Sequence, residues 1–196
     1  MLMYLSEEPE DSGAGIEINW ARSKRDHFVQ WYRNDSNLVQ SIATFTSDAL
    51  RRGGAAIVVS TEAHCKQVEE RLQREGLDVR QVERDGRYIF RDAEETLDSF
   101  MVNGRPDADK FFDDVGTVVS RASNSWNGVR AFGEMVGVLW QNGQHQAAIE
   151  LEQFWHRLIA VYPLPLFCAY PRTELQTEAE VDSFRQVCDA HSVVIL

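Results

Sequence analysis

The chain has 196 residues, 43% of them hydrophobic and 26% charged, with a formal net charge of −11. That length supports one sizeable core, and the acid excess disfavours nucleic acid or an anionic membrane as a direct partner. Three widely spaced cysteines, Cys65, Cys168 and Cys188, argue against a disulfide framework and fit a reducing, cytoplasmic setting.

No apolar run approaches the length of a membrane span, and the N-terminus lacks the basic and apolar regions of a secretion signal. A cytoplasmic protein without a membrane partner is expected. Residues 1–24 mix acidic side chains with Gly13 and Gly15 and show no sustained periodicity. They read as a flexible acidic tail ahead of a single domain over 25–196.

The first strand is expected at His27 to Tyr32, followed by the turn formers Asn34-Asp35-Ser36. Leu38, Ile42, Phe45 and Ala49 then fall on one face of a helix that Gly53-Gly54 stops. Ala55 to Ser60 is apolar almost throughout, as suits a central strand covered on both faces. Thr61 can cap a second helix, with Cys65, Val68 and Leu72 as its buried stripe and Gly76 at its end.

Arg87 to Phe90 reads as a strand, and Asp92 with Glu95 as a capping pair for a short helix carrying Leu97, Phe100 and Met101. A longer helix should bury Ala108, Phe111, Phe112, Val115 and Val118. Val129 to Gly133 reads as a strand leading into a helix over Glu134 to Gln141. Ala147, Leu151, Phe154 and Leu158 mark another amphipathic helix, ended by Pro163 and Pro165 before a strand over Leu166 to Tyr170. Thr177 and Glu180 form a capping box for a last helix, and Val193 to Ile195 a closing strand. About six strands alternating with about seven helices imply an α/β three-layer sandwich: a mostly parallel sheet with helices on both faces.

On such a fold, phosphate is held at the loop between the first strand and its helix. Here that loop, Tyr32-Arg33-Asn34-Asp35-Ser36-Asn37, has no glycine and no lysine, and Asp35 would repel phosphate. ATP hydrolysis by the usual lysine-loop mechanism is therefore not expected. The chain also lacks G-x-S-x-G, H-E-x-x-H and C-x-x-C, so no catalytic residue is assigned. Cys188-Asp189-Ala190-His191 has the spacing of half a metal site, which only a fold that gathers Cys168 or His27 could complete. No metal ligand set is assigned from the sequence, and no cofactor is named.

In a parallel sheet ligands bind at the carboxyl ends of the strands. His27, Tyr32, Arg130, Glu134, Trp140, Cys168 and Tyr170 are the candidates for a ligand-binding cleft on strands and adjoining helix. Each also has a plain structural reading. His27 suits a strand edge, Arg130 with Glu134 an ion pair, Trp140 a core anchor, and Cys168 a buried inert thiol.

Several of these residues lie in segments that resemble a known family. They are Asp26 to Tyr32, Asp92 to Leu97 with Phe100-Met101, Arg130 to Val136 with Leu139-Trp140 and Gly143, Leu151-Glu152 before Trp155, Cys168-Ala169-Tyr170-Pro171, and Cys188 with His191-Ser192. In order and spacing the set is similar to the MEDS domain, the methanogen/methylotroph DcmR-type sensory domain, and covers about 26 to 195. The resemblance implies a bacterial or archaeal signal-input domain related in fold to the RecA/KaiC ATPases without their phosphate-binding loop. It also implies a small-molecule ligand, and as partners a histidine kinase, a transcription regulator or another output protein. Trp31 and His156-Arg157 depart from the family pattern, so a pocket shaped there would differ. The rival expectations are an interaction or homo-oligomerisation module without a ligand, and a divergent nucleotide-binding enzyme.

Overall fold

The computed structural model describes residues 3–5, 20 and 25–196. Most of the segment expected as a tail over 1–24 lies outside the described residues. In chain order the elements are β1 (Met3–Leu5), β2 (His27–Tyr32), α1 (Asp35–Arg51), β3 (Ala56–Ser60), α2 (Glu62–Arg74), α3 (Val79–Arg84), β4 (Tyr88–Asp92) and α4 (Ala93–Phe100). There follow β5 (Met101–Val102), β6 (Arg105–Pro106), α5 (Ala108–Phe111), a π-helical turn (Phe112–Gly116) and α6 (Thr117–Ser125). The chain continues through β7 (Arg130–Gly133), α7 (Met135–Gln141), α8 (His145–Val161), β8 (Leu166–Pro171), α9 (Glu178–Asp189) and β9 (Val193–Ile195).

Seven strands form one sheet in the order β1-β9-β2-β8-β7-β3-β4, and every neighbouring pair is parallel. Six come from residues 27–195; the seventh, β1, pairs Met3, Tyr4 and Leu5 with Val193, Val194 and Ile195. β5 and β6 make a separate antiparallel ribbon. Parallel neighbours need crossovers, and these divide the helices between two faces. α1, α2 and α3 pack on the face that carries Phe28, Val58, Phe132 and Phe167. α4 to α9 pack on the face that carries Val29, Ile57, Ala131 and Cys168. Helices on both sides of a parallel sheet make the expected α/β three-layer sandwich.

Local chemistry explains where the elements begin. Asn34, Thr61, Asp78, Asp92, Asp107 and Thr177 each cap a helix, their side chains accepting from backbone N–H groups of the first turn. At Thr177 both halves of the capping box are present. β2, β3, β7 and β8 are buried along their whole length, so their side chains alternate between two cores rather than between core and water.

Two local expectations are corrected, and one short helix was not foreseen. α3, six residues capped by Asp78, is too short to carry a periodic signal. Met101 belongs to the β5–β6 ribbon and not to a helix. The helix expected to bury Phe112 and Val118 is interrupted by the π turn, whose extra residue per turn shifts the buried face to Phe111, Val115, Val119 and Ala122. Phe112 and Val118 are left half-buried. Among the described residues no helix is long and apolar enough to cross a membrane.

Candidate functional site

The seven residues read from the sequence fall into three places. His27, Cys168, Tyr170 and Trp140 lie on one face of the sheet, inside the core formed with α7, α8 and α9. Tyr32 and Glu134 lie at the carboxyl ends of β2 and β7. Arg130 stands at the other end of β7, where its guanidinium donates to the carbonyl of Phe45 (2.9 Å), pairs with Asp48 and covers the Phe45 ring. A single cleft containing all seven is therefore not formed. Arg130 and Glu134 are not each other's partners, because β7 holds them at its two ends.

The strand-end group is built on Glu134, which follows β7 and is 3% exposed. Its Oε2 accepts from the backbone N–H of Thr61 (3.0 Å), at the end of β3. Its Oε1 accepts from His64 Nδ1 (2.6 Å), in the first turn of α2. The opposite nitrogen of His64 lies 3.5 Å from Asp35 Oδ1, in the first turn of α1, and the Tyr32 ring meets the imidazole edge-on at 6.3 Å between centroids. The hydrogen bond to Glu134 raises the His64 pKa against the opposing effect of burial. The Tyr32 phenol is pushed up by burial and by the nearby carboxylates of Glu134 and Asp35.

This group occupies a particular place in the topology. β3 and β7 are neighbours, yet the chain leaves β3 into α2 on one face and leaves β7 into α7 on the other. Adjacent strands whose connections part to opposite faces open a crevice at their carboxyl ends, where ligands of open α/β sheets bind. His64 was not among the candidates from sequence. Its signal was a histidine three residues after a capping threonine, where a first-turn side chain can reach back toward the strand ends.

The second group is fully internal. His27 begins β2; Cys168 and Tyr170 alternate with buried apolar residues on β8; Glu152 lies on α8 and His191 follows α9. His27 Nε2 lies 3.3 Å from both Cys168 Sγ and Glu152 Oε2. The Cys168 thiol donates to Glu152 Oε2 at 3.5 Å, and the Tyr170 hydroxyl donates to Glu152 Oε1 at 2.7 Å. His191 Nε2 is 3.5 Å from that same Oε1, and the His27 and His191 rings lie 3.9 Å apart.

Burial, with the neighbouring His191, lowers the His27 pKa to about 4. Burial would raise that of Glu152, but the two histidines together hold its carboxyl below the usual range. The Cys168 thiol is raised well above its usual value by burial and by Glu152. Trp140 completes the wall: it meets Trp31 and Tyr170 edge-on and stacks on His145.

Glu152 was legible only as part of the family-like motif. Its physical signal is an acid on the apolar stripe Ala148, Glu152, Trp155 and Ile159 of α8. Two surface clefts, of about 430 and 470 Å³, are lined by residues around Arg105 and His145 and around Leu175 and Arg185, and none of the seven candidates lines either.

Comparison with protein families decides the relationship. The family model MEDS, described as "MEthanogen/methylotroph, DcmR Sensory domain", matches residues 26–191, most of the chain. The chain belongs to the MEDS family. Both groups lie within the matched MEDS segment, with His27 and His191 at its two ends. Among curated proteins none matches the chain. Membership of MEDS, a family of sensory domains, associates the chain with a sensory role in signalling.

Proposed function

We propose that this MEDS domain is a non-catalytic signal-input module that takes a small molecule at the carboxyl ends of β2, β3 and β7 and relays the change to a separate output protein. The observation that carries the reading is the position of Glu134. Its carboxylate is nearly buried at the crevice between β3 and β7, held by a backbone N–H of one strand end and by His64 of the helix that follows. Polar groups converging at such a crevice are the usual beginning of a ligand site.

Charge narrows the guest. A protonated His64 between Glu134 and Asp35 leaves one negative charge in excess, which favours cationic or hydrogen-bond-donating molecules and disfavours phosphates. The Tyr32 to Asn37 loop, with no lysine and no glycine, supports the same preference. α1 and α2 both begin at this group, so occupancy that favours one placement of these helices would alter the surface offered to an output protein, whether a histidine kinase or a transcription regulator.

The test is a thermal-shift screen of small amines, amides and alcohols, followed by nuclear magnetic resonance of the backbone amides. The expected result is a rise in melting temperature for one chemical class, with shifts at Thr61 and His64 that Glu134→Gln abolishes. Stabilisation that follows protein concentration alone, with no compound acting, would replace this reading with an oligomerisation module.

A further inference from the structure

His27, Glu152, Cys168 and His191 bring one nitrogen, oxygen or sulfur atom each to a common point, all four atoms lying within 4.8 Å of one another. Tetrahedral coordination with bonds of about 2.0–2.3 Å places its ligand atoms about 3.3–3.8 Å apart. The separations from His27 Nε2 to Cys168 Sγ and to Glu152 Oε2 are each 3.3 Å. Those from Cys168 Sγ to Glu152 Oε2 and from His191 Nε2 to Glu152 Oε1 are each 3.5 Å. The three separations among His27 Nε2, Cys168 Sγ and Glu152 Oε2 are thus close to the edges of one face of a coordination tetrahedron, with His191 Nε2 facing the same carboxylate from its other oxygen.

The surroundings of His191 point the same way. Its Nδ1 lies 2.6 Å from the carbonyl oxygen of Val187 and must donate to it, since a carbonyl only accepts. In a neutral ring this leaves the lone pair on Nε2, facing a carboxylate oxygen, and Nε2 has no hydrogen-bond partner among the described residues. A lone pair directed at a carboxylate in a dry interior is unfavourable unless the ring is protonated or a cation lies between them. A backbone carbonyl fixing the far nitrogen is the usual support of a metal-binding histidine. Tyr170 supplies the equivalent support to Glu152, donating to Oε1 at 2.7 Å.

Charge balance identifies the kind of ion. A thiolate and a carboxylate with two neutral imidazoles carry two negative charges, which a divalent ion cancels, so the filled site can be buried without net charge. Mixed nitrogen, sulfur and oxygen donors in a tetrahedron suit zinc and disfavour magnesium and calcium, which prefer oxygen alone. All four residues are 0–3% exposed, and four protein ligands leave no open position. Such a site is structural rather than catalytic.

We infer that His27, Glu152, Cys168 and His191 form a closed structural zinc site that clamps β2, β8, α8 and the turn after α9 to one another. The site lies apart from the Glu134 group and does not depend on the ligand proposed there. The sequence showed only His191 and Cys188 at metal-like spacing; the fold replaces Cys188 by Cys168 and adds His27 and Glu152.

The experiment is elemental analysis of the full chain purified without chelator, together with the absorption spectrum after cobalt is exchanged for zinc. One zinc per chain is expected, and the cobalt form should show the intense d–d bands of a tetrahedral site with a thiolate-to-cobalt charge-transfer band. Cys168→Ser should lose the charge-transfer band, and His191→Ala should bind zinc on the order of tenfold or more weakly. Cys65→Ser should behave as wild type, because that thiol faces Glu69 and Tyr88. Because these variants can fail to fold, the wild-type spectrum is itself decisive. A folded wild-type chain that holds no zinc, or a cobalt form without a thiolate band, would overturn the site and leave a buried Glu152–His191 ion pair.

Discussion

The imidazole of His64 donates from Nδ1 to Glu134 Oε1 at 2.6 Å, joining the first turn of α2 to the residue that follows β7. Asp35 lies on the opposite side of the ring and Tyr32 at its edge, so the groups facing His64 favour its protonated form.

A pH dependence follows from this arrangement. The folded-state pKa of His64 is raised above the ordinary 6.5. Its stabilising contribution is therefore fully present below the unfolded value and is lost as pH rises through the folded one. As pH rises above the unfolded value of about 6.5 and through the folded one, the melting temperature of the wild type should fall relative to that of His64→Gln, which lacks this proton. Parallel profiles for the two proteins would show that His64 is not held as an imidazolium.

Arg130 separates a structural from a ligand-binding role. Its guanidinium ties the C-terminal half of α1 to β7 through Phe45 and Asp48, far along β7 from Glu134. Arg130→Met should cost about 1–3 kcal/mol in urea unfolding, since it removes the donor to the Phe45 carbonyl and one of the two arginines on Asp48, which keeps Arg52. Compound binding at the strand ends should persist; its loss in a folded Arg130→Met protein would return Arg130 to the binding site.

Gly137 marks where α7 rests directly on β8. A methyl group there would stand 2.5 Å from the carbonyl oxygen of Ala169, with backbone on both sides and no flexible side chain to yield. Gly137→Ala should lower stability by about 1–3 kcal/mol through overpacking, measured by urea titration. An unchanged midpoint would mean that α7 can lift from the sheet at little cost.

Trp20 extends the domain beyond the boundary read at residue 25. It is 5% exposed and meets Phe28, Phe45 and Phe167 with ring centroids 5.0–5.2 Å apart. Trp20→Ala should cost about 3–5 kcal/mol, and a chain reduced to 25–196 should melt correspondingly lower. Equal melting of the reduced and full chains would show that Trp20 contributes nothing to the core.

The parallel sheet was legible because its strands are largely apolar runs such as Ala55 to Val59, and its helices because capping residues such as Thr61 and Thr177 stand just ahead of periodic stripes. The π turn was not, since an extra residue per turn changes no side chain in the sequence, only the face on which Val119 lands. The candidate residues were recognised individually but not in their grouping. His27 and Cys168 share a face because β2 and β8 pair with His27 opposite Leu166 and Val29 opposite Cys168, a register that no local pattern states. Glu152 and His64 were missed as site residues for a related reason: a polar side chain within an apolar stripe, or in a first helical turn, acquires its role only from the strands beneath it.

The internal cluster draws its two histidines from positions 27 and 191, at opposite ends of the matched segment. Between them lie the crossovers that bring β9 alongside β2, where Ser192 and His27 exchange backbone and side-chain hydrogen bonds. During synthesis the cluster therefore cannot close until almost all of that segment has emerged. Glu152 and Cys168 must wait beside an incomplete partner set while the slow, long-range pairing of β2 with β8 and β9 is made. Late closure makes the cluster a lock on the finished topology, and a chain that stops short of His191 would leave a buried carboxylate in its interior without one of its two histidines.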